Sequence, residues 1–369
     1  MMHFIIGTKA QFIKMAPLMH VLEESNTPYH VLDLGQHAAL TETILQDFGV
    51  HPRITRISAA TTNVESYKQA AAWLASCGRL LLLHRQKLLQ RYFENSRGVA
   101  LIHGDTLSTL LGLYWGHKAK LPVALVEAGL SSRSLLNPFP EEMIRRHVES
   151  RVELLFAPDE LSQERLRSRS LRGEIYNTAY NTGRDALALI VQKHQLLSPI
   201  PDAGSYSVLT LHRLETLSRR KRLQRAVRHV MQLSESIGPI RFFLHGPTQR
   251  ALARSGLLSL LETHSAFTLA PLKTYPDFIR QIVHCRFLLT DGGSIQEEAS
   301  YLQKPCLILR QRTERQHGLQ SNACLASFDP ASDYEFLKNS ERDKETVHLD
   351  FNFTASRYLL EVIRQYRVH

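Results

Sequence analysis

Short apolar runs alternate along this chain with longer stretches whose apolar residues recur at helical spacing. The first run, residues 3–6, reads as a buried strand ending at Gly7-Thr8, followed by a helix over 11–24. Residues 31–34 form the next expected strand, and 67–93 hold one or two helices. The pattern continues with strand 99–103, helix 107–117, strand 122–126, a helix beginning at Glu141, strand 153–157 and helix 161–168. After a linker containing Pro and Gly, 198–204, a second series follows: strand 206–211, helix 219–236, and strands 240–244, 267–269, 286–290 and 306–309. Residues 328–350 mix both charges and read as loop-rich, and 354–367 read as a closing amphipathic helix.

Strands alternating with helices predict parallel sheets with functional loops at the carboxyl ends of the strands. The expected fold is α/β, with two Rossmann-like, doubly wound parallel-sheet domains. The boundaries fall at 1–185 and 186–353, with the helix of 354–369 joining the first domain. The linker makes hinge closure over a ligand the expected motion.

Composition narrows the class. A chain of 369 residues, 43% hydrophobic and 22% charged, fits one large or two ordinary soluble domains. No run of ~18 apolar residues exists, so no transmembrane span or stable membrane insertion is expected. The chain enters its first strand directly, without a cleavable signal, and the cytoplasm is the expected compartment. Cys77, Cys285, Cys306 and Cys324 are far apart and the histidines are scattered, so neither a disulfide framework nor a metal site is expected. The net charge of +10 comes largely from helix-like segments such as 165–172 and 218–222. They lack aromatic interleaving and read as solvated faces; nucleic acid is not an expected partner, whereas an anionic substrate would be drawn by the same field.

Candidate chemistry lies at the strand ends. The turn Asp291-Gly292-Gly293-Ser294 stands where a strand hands over to a helix, so its backbone N–H groups suit a phosphate. In the helix that follows, a carboxylate of the pair Glu297-Glu298 suits a ribose diol, with Arg310 and Arg315 further on. The same stretch also fits an ordinary strand–turn–helix. Gly7-Thr8, with Lys9 and Lys14 nearby, is a second possible anion cradle. Asp105, Glu127 and Glu141 directly follow apolar strands or loops at the site-forming edge, although Asp105 also reads as a helix cap and Glu141 as a dipole partner. The absence of G-x-G-x-x-G points away from a dinucleotide enzyme.

Together these loops resemble the UDP-N-acetylglucosamine 2-epimerase family, which has the glycosyltransferase-B architecture of two Rossmann-like domains facing across a cleft. The resemblance rests on H-G-D-T (103–106), V-E-A-G-L (126–130), P-F-P-E-E-M-I-R (138–145), N-T-x-x-D-A-L (181–187), H-R-x-E (212–215), D-G-G-S-I-Q-E-E-A (291–299) and T-E-R (313–315). It implies that Glu298 binds the ribose hydroxyls, and that Gly292, Gly293 and Ser294 hold the diphosphate through their backbone. His212, Arg315 and Lys14 would stand near the diphosphate, with Lys9 and His245 as further UDP-sugar ligands. Asp105, Glu127 and Glu141 would surround the sugar as acid/base groups, oriented by Arg145.

The implied reaction inverts C2 of a UDP-N-acetylhexosamine by elimination of UDP to a 2-acetamidoglucal and re-addition. A hydrolysing branch instead releases UDP and N-acetylmannosamine. No cofactor or metal is implied; a homodimer and a bacterial polysaccharide or glycoconjugate pathway are. A glycosyltransferase on the same scaffold, or a non-catalytic nucleotide-sugar-binding protein, are the competing expectations.

The chain departs from the family in identifiable places. The usual first turn, G-T-R-P-E-x-I-K, here has Lys9 for the arginine, and Gln11-Phe12-Ile13-Lys14 is similar to relatives acting on diacetamido sugars. Leu214 replaces an arginine of H-R-R-E, and Tyr180 stands where glycine is common. Ala38, Ala39 and Leu40 replace the polar continuation of G-Q-H, a region that helps bind a second, activating substrate molecule in the non-hydrolysing branch.

Overall fold

The structure, a computed structural model, describes the chain except for residues 37, 58–66, 84, 94–96, 132–139, 314, 320, 343–346, 348 and 367–369. Two compact units emerge: Met1–Leu189 with Asp350–His369, and Ile190–Leu349.

The first unit runs β1 (Met2–Ile6), α1 (Lys9–Glu24), β2 (Tyr29–Asp33), α2 (Ala38–Phe48), β3 (Arg53–Arg56), α3 (Tyr67–Arg79), a 3-10 turn (Leu80–Leu82), α4 (Arg85–Tyr92), β4 (Val99–His103) and α5 (Leu107–Ala119). It continues with β5 (Val123–Val126), α6 (Glu141–Glu149), β6 (Leu154–Ala157), α7 (Glu160–Arg167), β7 (Glu174–Asn177) and α8 (Thr182–Lys193), the last running into the second unit. Its strands form one parallel sheet in the order β3-β2-β1-β4-β5-β6-β7. Strand order reverses between β1 and β4, where Phe4 lies opposite Val31 on one side and Leu101 on the other. The five strands β1, β2, β4, β5 and β6 are buried along their whole length, the signature of a sheet covered by helices on both faces.

The second unit contains β8 (Ser207–Thr210), α9 (Leu214–Leu217), α10 (Arg220–Ile237), β9 (Ile240–Leu244), α11 (Gly246–Ser255), α12 (Leu257–Thr263), β10 (Phe267–Pro271) and α13 (Tyr275–His284). It then adds β11 (Leu288–Thr290), α14 (Gly293–Tyr301), β12 (Cys306–Ile308), β13 (Ala323–Leu325) and α15 (Pro330–Arg342). The parallel order β10-β9-β8-β11-β12-β13 again reverses once, between β8 and β11. In each unit the reversal opens a crevice beyond the strand ends, the usual ligand position in doubly wound sheets.

The expected two parallel-sheet, Rossmann-like units are therefore present, with several local differences. Edge strands β3 (Arg-Ile-Thr-Arg) and β7 (Glu-Ile-Tyr-Asn) escape a search for apolar runs because an edge strand leaves polar side chains in water. Residues 328–350, expected to be loop-rich, contain α15, whose Leu337 and Asp333 are buried; the mixed charges occupy its outer face. Helix α1 begins at Lys9 rather than Gln11, because Thr8 and Gln11 form a reciprocal capping box. Among the described residues no helix is long and apolar enough to cross a membrane. Three of the four cysteines are buried free thiols, and Cys324 is half-buried.

The last helix, α16 (Thr354–Gln365), returns to the first unit. Its anchor is Asp185, one of the motif residues: the carboxylate accepts from the Ser356 N–H at 2.7 Å and the Ser356 hydroxyl at 2.6 Å. On the exposed side Arg357 pairs with Glu24 at 2.7 Å. Burial pushes the Asp185 carboxyl up from its ordinary 3.8 to about 6, with the Ser356 hydrogen bonds opposing the shift. Because the folded pKa is raised, this group favours folding most below the unfolded value and loses that contribution as pH rises through 6. Urea unfolding of wild type and Asp185→Asn should therefore diverge: between pH 4 and 7 wild type loses up to about 3 kcal/mol relative to the variant.

Candidate functional site

In the first unit, one side chain ties the loops of the switch point together. Gln11, in the first turn of α1, is almost fully buried. Its carbonyl oxygen accepts from the N–H groups of Gly7 (2.9 Å) and Thr8 (3.1 Å) and from the Ser108 hydroxyl (2.8 Å). Its amide group donates to the His103 carbonyl (2.8 Å) and to the hydroxyls of Thr106 (3.1 Å) and Thr109 (3.0 Å). The turn after β1 is thereby locked to the turn after β4. Gly104 in that second turn takes φ of +70°, a conformation that favours glycine and swings Asp105 toward the strand ends.

The two acids after β4 and β5 have different neighbours. Glu127 has φ of +65°, rare for a side chain of this size, and is 8% exposed. Lys14 donates to its Oε2, Asn181 Nδ2 donates to the same oxygen at 2.7 Å, and His103 Nε2 lies 3.4 Å away. Asp105 is partly open to solvent and accepts from Arg145 of α6, whose second Nη group binds the buried Glu142. Glu142 also accepts from the Ser131 hydroxyl at 2.9 Å. Glu141 is the first residue of α6 and half-buried, and Lys9 is the half-buried first residue of α1.

In the second unit, Asp291 is the fixed point. It is fully buried and accepts the backbone N–H groups of His212 (2.8 Å) and Arg213 (3.1 Å), clamping the loop after β8 to the turn after β11. The Thr210 and Thr290 hydroxyls, 2.9 Å apart, tie the same strand ends one residue earlier. Gly292 has an ordinary negative φ, so its lack of a side chain serves another purpose. A Cβ there would lie 2.2 Å from His212 Cε1. The glycine admits the imidazole against the start of α14. Burial lowers the His212 pKa against the opposing pull of Asp291, which favours a neutral ring. His245, the N-cap of α11, stands beside it with ring centroids 5.5 Å apart.

Helix α14 begins at Gly293 with no side-chain cap, followed by exposed Ser294, so its first N–H groups and dipole suit an anion. One turn on, half-buried Glu298 accepts from the Tyr275 hydroxyl at 2.8 Å. Burial and that carboxylate raise the phenol's pKa far above normal, keeping it a donor. Arg315 is buried against Glu297 at 3.0 Å. Gln296 holds the Arg315 loop by donating to the carbonyls of Arg315 (3.2 Å) and His317 (2.9 Å) and accepting from Thr313 (2.7 Å).

The structure thus brings together Lys14 with Glu127, Asp105 with Arg145, and His212 with His245 and Gly292. Sequence reasoning did not single out His103, Glu142, Asn181, Tyr275 or Gln296 as site residues. His103, Glu142, Asn181 and Gln296 lie inside motifs already noted, so their position was a signal; Tyr275 carried none. Three motif residues, 138, 139 and 314, and His37 of G-Q-H lie outside the described residues.

Two doubly wound parallel sheets, each with its polar loops at the switch point, define an α/β protein of the glycosyltransferase-B type. The model of the UDP-N-acetylglucosamine 2-epimerase family matches residues 20–346, and the chain belongs to that family. It is 28% identical over 349 residues to the UDP-N-acetylglucosamine 2-epimerase of Bacillus subtilis, covering 92% of this chain and 87% of the relative. Over 330 residues it is 27% identical to the enzyme of Methanocaldococcus jannaschii, covering 86% of each. Its fold is similar to the crystal structure of the M. jannaschii UDP-GlcNAc 2-epimerase in complex with UDP-GlcNAc and UDP: TM-score 0.80, 23% identity, 98% of this chain and 99% of that one. The Neisseria meningitidis UDP-GlcNAc 2-epimerase bound to UDP-GlcNAc gives TM-score 0.80 at 22% identity, covering 99% and 100%.

The close approach at Gly292 is testable by itself. Gly292→Ala should displace the His212 ring, seen as shifted imidazole resonances, and destabilise the protein by about 1–3 kcal/mol.

Proposed function

We propose that the chain inverts C2 of a UDP-N-acetylhexosamine, either UDP-N-acetylglucosamine or a diacetamido relative. The observation that carries the reading is the pair of carboxylates after adjacent strands β4 and β5, each fixed by a buried cation: Asp105 by Arg145 and Glu127 by Lys14. Two carboxylates with distinct surroundings suit a reaction in which a proton leaves one face of a carbon and returns to the other.

In the first step a carboxylate takes the C2 proton while the C1–O bond to the diphosphate breaks. The C–H electron pair becomes the C1=C2 bond of a 2-acetamidoglucal, and UDP departs with the C–O pair. Re-addition of UDP at C1, with a proton delivered to the opposite face of C2, gives the epimer. The net change is redox-neutral. Asp105 and Glu127 exchange the C2 proton, Glu141 is a third acid/base group, and Arg145 positions Asp105. Lys14, expected near the diphosphate, instead positions Glu127 in this reading.

The second unit supplies the nucleotide contacts. The uncapped start of α14 at Gly293 and Ser294, with His212 and His245, suits the diphosphate; neutral His212 can donate its ring N–H to the departing oxygen. Glu298, kept in place by Tyr275, suits the ribose diol. Arg315 supports α14 through Glu297, and Lys9 adds positive charge near the turn after β1. A homodimer acting in the cytoplasm completes the reading.

The test is proton NMR of the purified protein with UDP-N-acetylglucosamine, and with UDP-diacetamido sugars, in D₂O. Deuterium should replace the C2 proton as UDP-N-acetylmannosamine or its diacetamido counterpart appears; free N-acetylmannosamine with UDP would identify the hydrolysing branch. Asp105→Asn and Glu127→Gln should each slow exchange by about 10²–10⁴-fold. An unchanged C2 signal with every such sugar overturns the proposal. UDP release only with an acceptor, and without deuterium at C2, would identify a transferase.

A further inference from the structure

The exposed face of α10 is built against ordinary helix electrostatics. Arg219, Arg220, Lys221, Arg222, Arg225 and Arg228 are all exposed, and no acid occupies the first turn. Cations at a helix N-terminus face the positive end of the dipole and one another. Among the described residues, none of the six has a carboxylate ion-pair partner. The apolar residues of the same helix, including Leu223, Val227, Val230 and Leu233, are buried in the core of the second unit. The helix therefore has no apolar face left to lay into a bilayer.

Part of this basic face lines a groove of about 420 Å³ with Lys221, Gln224, Arg225, Arg228, Gln232 and Phe328. Lys221, Arg225 and Arg228 stand at i, i+4 and i+7, on one side of the helix. Phe328 closes the groove in a strained conformation, with φ of +65°. Buried Asp333 imposes it by accepting from the Phe328 N–H (3.2 Å), the Ser327 N–H (2.9 Å) and the Ser327 hydroxyl (2.8 Å). Asp333 is itself fixed to α10, 2.8 Å from His229 Nε2. The ring so placed lies 4.0 Å from the Arg225 guanidinium carbon. Arg225 is thus oriented by an aromatic face, which leaves its N–H fork available to an anion.

We propose that this groove, which none of the nucleotide-site candidates His212, His245, Gly292, Gly293, Ser294, Glu298 and Arg315 lines, binds a small ligand carrying two or more phosphate-type anionic groups. Three convergent cations and two side-chain amides match the oxygens of such a ligand, and guanidinium groups bind phosphate bidentately. The volume lies within the range of small-molecule sites, roughly 300–1,000 Å³.

The test is isothermal titration calorimetry of the full chain with inorganic tripolyphosphate at low salt. Wild type should bind, and Arg225→Ala/Arg228→Ala should weaken binding by about tenfold or more. Arg167→Ala/Arg172→Ala, which removes two exposed charges from the first unit, should leave affinity nearly unchanged. Phe328→Gly, which relieves the backbone strain, should lower affinity several-fold without lowering the melting temperature. The proposal is overturned if wild type does not bind, if the Arg225/Arg228 pair binds like wild type, or if both arginine pairs lose affinity equally. The first result would make the groove a solvated face, the second would place the anion elsewhere, and the third would reduce the effect to surface charge.

Discussion

A carboxylate removed from water must meet charge and hydrogen bonds where it stands, and the first unit is arranged around that requirement at Glu127. Lys14 reaches it from α1, Asn181 from the start of α8, and His103 from the end of β4. Its own backbone takes a positive φ, at a cost of about 1–3 kcal/mol, to present the side chain to all three. Losing any one partner leaves an under-compensated buried charge, so the geometry of four separate elements is coupled through one residue. Gln11 supports the arrangement by fixing the turns after β1 and β4, using both its amide hydrogens and its carbonyl oxygen.

The second unit solves a related problem with backbone groups. Asp291 is as buried as any core residue, yet it accepts its hydrogen bonds from the main-chain N–H groups of His212 and Arg213, which position rather than neutralise. Those bonds carry His212 onto Gly292, where only a glycine leaves room for the ring. The two units therefore use the same topology, a single strand-order reversal, for different ends: carboxylates paired with Lys14 and Arg145 after β4 and β5 in one, backbone N–H groups that fix an imidazole after β8 and β11 in the other.

How much of this could be read from the sequence follows from what each signal measures. Central strands such as Val-Ala-Leu-Ile-His of β4 are apolar because both faces are covered, and they were legible. Edge strands β3 and β7 were not, because water covers part of them and their residues look like loop. Helix α15 was hidden because its buried set is small and its outer face mixes charge. Loop acids at the ends of strands were legible by position, but their partners were not. Lys14 and Glu127 are 113 residues apart, and nothing local in either segment marks the pair. Glycine spacing suggested a permissive backbone at Gly292, whereas the structure gives a steric reason that depends on a loop 79 residues earlier in the chain, since the His212–Asp291 bond spans that distance.

The most direct measurement is a double-mutant cycle on the rate of C2 proton exchange, using Lys14→Met, Glu127→Gln and the two together. If Lys14 acts by holding Glu127, the double variant is little worse than the weaker single variant, with a coupling energy of about 1–3 kcal/mol. Strictly additive losses would contradict it, and would mean that the lysine acts on another group.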